Sequence, residues 1–265
     1  MTDIHLNFLD ESERRQFLEN VGEGADAVAI TGDIGESTNV IDYLKEMEEI
    51  IRRPIYFVLG NHDFYRGSIG KTRVEVAELA QQSEHLTYMT ATGVVALSPK
   101  TALVGHDGWA DARLGDFENS TVFMNDYVAI RDLRKWEGDF GLDKPALAEA
   151  LNVLGDEAAR HLERTLRQAV ANHSTIIALT HVPPFREAAW YRGRNSDDDH
   201  LPHFACKVVG DALRRVMDDH RQCRLLVLCG HTHGKGEVEI TDNIRVLTGE
   251  AEYAEPVIQR VFDIE

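Results

Sequence analysis

Several short, largely apolar runs in this chain end abruptly in a polar turn. Residues 25–31 stop at Gly32-Asp33-Ile34-Gly35, and residues 54–59 at Gly60-Asn61-His62-Asp63. Residues 174–180 stop at His181-Val182-Pro183-Pro184, and residues 224–229 at Gly230-His231-Thr232-His233. Such runs suit strands buried on both faces. Helical spacing fills the intervals. Asp10 and Glu13 are placed as a capping box for a helix over 11–20. Ser37 is placed to cap a second helix, with Val40, Ile41, Leu44, Met47 and Ile51 as its apolar stripe. Residues 68–83, 145–171 and 204–221 also read as helices. Near the C-terminus, alternation predicts strands at 237–241, 244–248 and 257–264. The sum is an α/β fold with a strand-rich C-terminus.

Two stretches lack a period. Residues 106–143 are rich in Gly, Asp and aromatics (Trp109, Phe117, Phe123, Tyr127, Trp136, Phe140), and residues 185–203 are polar and irregular. Long loops of this kind are either functional lids or plain surface excursions, and both readings stand. With 265 residues, one domain over 1–265 is the expectation. No apolar stretch approaches the roughly 18–20 residues that a bilayer requires, and no secretory signal pattern is present. Cys206, Cys223 and Cys229 have neither a disulfide nor a C-x-x-C arrangement, which points to the cytoplasm, and Cys229 reads as core. The formal net charge of −17 argues against a nucleic-acid partner. A small phosphorylated substrate is still compatible with it, because bound cations reverse the local field.

The chemistry lies at the strand ends. In an open α/β sheet, residues just past the C-terminal ends of strands share one crevice. That crevice would collect Asp3, His5, Asp33, Asn61, His62, Asp63, His181, His231 and His233. Singly, each has a bland explanation as a turn, a cap or a hydrogen-bonded loop. Jointly, carboxylates, imidazoles and one amide at five strand ends point to bound metal. In an extended Asp-x-His or His-x-His, both side chains would face the same side.

These motifs, in this order, resemble the calcineurin-like metallophosphoesterase superfamily. The resemblance implies a four-layer sandwich of two mixed sheets flanked by helices. It implies that Asp3, His5, Asp33 and His233 hold one metal, and that Asp33 bridges to a second held by Asn61, His181 and His231. His62 would act on the substrate, oriented by Asp63. Two such cations clamp a phosphoryl group, and a hydroxide bridging them is the nucleophile. An imidazolium at His62 would protonate the leaving alkoxide. Ligands without thiolate suit Mn, Fe, Zn or Co.

The chain departs from the family pattern in two places. Only Met1 and Thr2 precede Asp3, where the family has a longer apolar strand, so an upstream start is the expectation, as is a frayed first strand that loosens Asp3 and His5. The Gly-Asp motif continues as Ile34-Gly35-Glu36-Ser37, and Asp63 stands where protein phosphatases have Glu, so a protein substrate is disfavoured. A small phosphomonoester or phosphodiester is the better class; a nuclease of the same superfamily and a non-catalytic scaffold are the alternatives. Candidate substrate contacts are Tyr65, Arg66, Arg192 and Arg194, with an exposed charged loop as the competing explanation for each arginine. His106 ends a further apolar run, 101–105, and reads as pocket wall rather than ligand.

Overall fold

The computed structural model describes residues 1–137 and 141–264. Helix α1 (Glu11–Gly24) begins at the expected capping box, in which Asp10 accepts the Glu13 amide and Glu13 reaches back to the Asp10 amide. The strand β1 (Val28–Thr31) follows, then α2 (Val40–Ile51), β2 (Ile55–Val58), α3 (Ile69–Gln82) and β3 (Leu86–Tyr88). These strands form a sheet in which β1 pairs with β2 and β2 with β3, all parallel. The expected pair of sheets is present; among the described residues the first is wholly parallel and the second is mixed.

The second sheet gathers β4 (Val95–Ala96) and β5 (Thr101–Gly105) with distant strands. The chain first passes through α4 (Asp126–Ala129), a ribbon of β6 (Trp136–Glu137) and β7 (Gly141–Leu142), and the long helix α5 (Lys144–Val170). It returns as β8 (Thr175–Leu179), leaves through a ribbon of β9 (Trp190–Tyr191) and β10 (Arg194–Asn195), and continues into α6 (Leu201–Phe204) and α7 (Lys207–Asp219). Last come β11 (Arg224–Cys229), β12 (Gly236–Thr241) and β13 (Ile244–Thr248). The strand order is β12-β13-β11-β8-β5-β4, with a parallel centre and antiparallel edges.

Three apolar layers make this a four-layer sandwich. One joins α1, α2 and α3 to the first sheet through Leu18, Leu44, Met47, Ile30 and Phe57. Another joins α5 and α7 to the second sheet through Leu162, Leu166, Leu213, Val216, Val104 and Val227. Between the sheets, the opposite faces of the strands meet in Val58, Leu103, Ile177 and Leu179. Strands covered on both faces explain the unbroken apolar runs.

Three sequence expectations are corrected. The helix expected over 204–221 is α7, Lys207–Asp219; its start is shifted by extended Ala205 and Cys206, which separate it from α6. Asp111 stands at the start of α7, where its two oxygens accept the Lys207 and Val208 amides at 3.0 Å each. Ser37 caps nothing; Asn39 is the residue preceding α2, and its Oδ1 accepts the Glu36 amide. Residues 257–264 form no strand, and Val257, Ile258, Val261 and Ile264 stay exposed. Cys229 is buried core as expected. Among the described residues, no helix is long and apolar enough to cross a membrane.

Candidate metal centre

Each nominated side chain sits just past the end of a strand or beside one. Asp33 follows β1, Asn61 and His62 follow β2, His181 follows β8, and His231 and His233 follow β11. Residues 1–6 run alongside β1: Thr31 donates to Met1 O at 3.0 Å, Asp3 to Gly32 O at 3.0 Å, and His5 to Asp33 O at 2.9 Å. Asp3 and His5 are therefore not frayed; both are 1% exposed.

The extended geometry assumed for Asp-x-His and His-x-His is not what places these groups. Asp3, His5, Asp33, His231 and His233 all adopt positive φ, from 39° to 70°. Left-handed backbone is uncommon outside glycine, although Asp and His tolerate it better than most residues. Such residues turn the chain sharply, Asp33, His231 and His233 past strand ends and Asp3 and His5 beside β1. Two glycines make room for the carboxylates. A Cβ on Gly60 would overlap Asp33 Oδ1, and one on Gly230 would overlap Asp3 Oδ2.

The cluster has two lobes joined by Asp33. In the first, donor atoms of Asp3, His5, Asp33 and His233 lie within 4.8 Å of one another. His5 Nε2 is 3.4 Å from His233 Nε2 and 3.7 Å from Asp33 Oδ2. In the second, Asn61 Oδ1 is 2.9 Å from both His181 Nε2 and His231 Nδ1. Asp33 Oδ1 completes this lobe, 3.5 Å from His181 Nε2.

The second lobe provides a test of whether cations fit. His181 Nδ1 lies 2.7 Å from Thr31 O, and His231 Nε2 lies 2.9 Å from His203 O. A carbonyl accepts only from N–H, so these nitrogens carry the protons and the other nitrogens present lone pairs. Asn61 Nδ2 donates to Asp126 Oδ1 at 2.9 Å, which fixes its Oδ1 towards the same point. Three acceptors facing one another without a proton between them are satisfied by a positive ion. Charge says the same. Burial, then the nearby charges of Asp3 and Asp63, raise the Asp33 carboxyl well above its usual range. At Asp3 burial pushes upward as well, but the hydrogen bond from His233 together with the charges of His181, His233 and His5 lowers the carboxyl. Burial holds the His5 imidazole down to about 3 and His231 to about 4, so both rings are neutral near pH 7. The donor set fits two cations.

His62 stands beside the cluster, stacked on Tyr65 at 4.2 Å between centroids and edge-on to His5 at 4.7 Å. Asp63 does not orient it. One Asp63 oxygen accepts the Ile34 and Gly35 amides at 2.9 and 2.7 Å, and the other accepts Gly60 at 2.8 Å. Asp63 thus ties two of the motif turns together, and burial raises its carboxyl to about 6. Burial lowers His62 to about 4, and Asp126 is the carboxylate that most opposes this.

The nominated substrate contacts have partners of their own. Tyr65 is 8% exposed, with its hydroxyl donating to Asp126 at 2.8 Å. Arg66 is exposed and pairs with Glu36. Arg192 lies over the Tyr191 ring, and Arg194 is 4.0 Å from Asp197. His106 is buried, its Nδ1 accepting the Gly108 amide. Sequence reasoning missed Asp126, which holds Asn61, and His203, whose carbonyl holds His231. The His203 ring also contacts Ser120 and Tyr127, so the two irregular stretches meet behind the second lobe. Phe140, one of the aromatics of the first stretch, lies outside the described residues. Tyr253, the other omission, lies over His5 and His233 with centroids at 4.7 and 5.2 Å.

Solved structures share the fold. Phosphopantetheinyl hydrolase from Mycobacterium tuberculosis aligns with 13% identity and a TM-score of 0.61, covering 94% of this chain and 88% of its own. A dimetal phosphatase from Danio rerio aligns at 16% identity and a TM-score of 0.56, covering 92% and 79%. The protein TT1561 of Thermus thermophilus aligns at 16% and 0.54, covering 94% and 87%. No curated protein matches the chain in sequence. The family model for calcineurin-like phosphoesterases matches residues 1–235, and this chain belongs to that family.

Proposed function

We propose that the protein is a dinuclear metal-dependent phosphoesterase that hydrolyses a small phosphomonoester or phosphodiester. The observation that carries this reading is the pair of lobes sharing Asp33, one oxygen towards His5 and the other towards His181. Asp3, His5, Asp33 and His233 would hold one ion, and Asp33, Asn61, His181 and His231 the other, with Mn, Fe, Zn or Co suiting these ligands. When bound, such a pair supplies a Lewis-acid clamp and an acidified water as nucleophile. Burial keeps the His5 and His231 rings neutral near pH 7, and the buried setting of the cluster strengthens charge interactions inside it.

His62 is the residue placed to move a proton. It sits at the edge of the cluster, partly exposed, and its face is held by Tyr65. Alone it is neutral at pH 7, with burial holding it to about 4. The negative charge of a phosphate ester against the ring favours protonation, and the imidazolium then donates to the leaving oxygen. Purified protein loaded with Mn²⁺ is expected to hydrolyse a nitrophenyl phosphate ester and to lose that activity on chelation. On an alkyl ester, His62→Ala is expected to retain both metals and to lose about 10²–10⁴-fold in kcat. Equal turnover by variant and parent would remove His62 from the mechanism. A metal-loaded protein inert to every ester would instead favour the scaffold alternative. The acidic charge of −17 supports a small phosphorylated substrate over a nuclease role.

A further inference from the structure

Building on the phosphoesterase reading, we propose that Phe8 and Tyr253 form an aromatic wall for the organic part of the substrate, so that the preferred esters carry a flat aromatic ring beside the phosphate. The cluster is closed on most sides: Asp3, His5, Asp33 and His181 are 1% exposed and Asn61 is 5%. Solvent reaches it past His62 and His233. On that side Tyr253 lies 4.7 Å from His5, 5.2 Å from His233 and 6.2 Å from His62, centroid to centroid. Phe8 adjoins Tyr253 at 4.7 Å and His5 at 5.9 Å.

Both rings are half exposed, at 49% for Phe8 and 48% for Tyr253. They come from opposite parts of the chain and meet only here, at the mouth. Two bare aromatic surfaces beside a polar cluster offer a stacking face to a planar group. Tyr65 cannot serve this way, because its ring is covered by His62 and its hydroxyl is spent on Asp126. Among the described residues, no Arg or Lys forms an ion pair with Asp3, Asp33 or Asp63. With the phosphate held by the cations and His62, discrimination among its organic parts falls to the apolar wall.

The test compares equilibrium binding of phenylphosphonate and methylphosphonate to the Mn²⁺-loaded protein. Neither probe is hydrolysed. The parent is expected to prefer the phenyl compound by about tenfold, the scale of one good aromatic contact. Tyr253→Ala and Phe8→Ala should each bring the preference to about threefold or less, while Tyr253→Phe retains it. Binding of methylphosphonate by each variant verifies that the site is intact. An unchanged preference, or an equal loss on both probes, overturns the wall. Tighter binding of both probes by Tyr253→Ala would make Tyr253 a plug, which also overturns it. If the parent binds neither probe in a metal-dependent way, the phosphoesterase reading fails, and the wall fails with it.

Discussion

Asp126 holds two parts of the site through one oxygen, accepting the Asn61 amide and the Tyr65 hydroxyl at 2.9 and 2.8 Å. Removing it frees the Asn61 amide to rotate its NH₂ towards the cluster. Asp126→Ala is therefore expected to weaken metal binding by about 10–100-fold, measured by competition with a chelating dye, and Asp126→Asn to retain most of the affinity. The seven donors were legible because only a few side chain types bind metal and they recur at strand ends. Asp126 was not, because a carboxylate in an irregular stretch looks the same whether it is solvated or buried. His203 acts on His231 through a carbonyl, an atom that every residue has. The role expected of Asp63 failed for a related reason. Proximity in sequence to His62 said nothing of the three amides that claim its oxygens.

At the scale of elements, apolar runs and helical stripes located the strands and helices that carry the site. The errors fall where a tertiary partner decides. Alternation over 257–264 states which face a strand would bury, but not whether a neighbouring strand is there to accept it. The break between α6 and α7 is imposed by Asp111, about a hundred residues away in sequence, whose carboxylate takes the first amides of α7. Its loss leaves those two part-buried amides without their carboxylate partner. Asp111→Ala is expected to cost about 2–4 kcal/mol in chemical denaturation. Metal content of the variant at low temperature should be unchanged, because α7 packs on the far side of the second sheet.

Across the whole molecule, the sheets are joined by polar contacts as well as the apolar layer. Asp107, at the end of β5, accepts from Leu59 N, Tyr88 OH, Thr90 Oγ1 and Arg73 Nε at 2.7 to 2.8 Å, and so clasps the first sheet. Its neighbour His106 is buried, and burial lowers its imidazole to about 3; His203, in α6, is lowered to about 4 for the same reason. An unfolded chain protonates both rings near pH 6.5, whereas the native state resists. Below that pH the unfolded state binds more protons, so stability is complete above about pH 6.5 and falls as pH drops towards 4. Urea midpoints are expected to decrease steadily from pH 7 to pH 5. His106→Asn, which keeps an acceptor for the Gly108 amide but cannot ionise, should flatten that dependence.

The left-handed turns at Asp3, His5, Asp33, His231 and His233 are secured in part by backbone hydrogen bonds among residues 1–6 and 31–34 and by the Gly230 amide bonded to His181 O. Unfavourable backbone at a ligand is tolerable only where its surroundings impose it. A cradle shaped by its scaffold has little to rearrange when ions enter. Uptake of Co²⁺ by the apoprotein, followed by stopped-flow absorbance, should then proceed in a single phase without a change in far-ultraviolet dichroism. Ions able to come and go without the chain refolding would be chosen by cellular supply, so the resident pair would change with growth conditions.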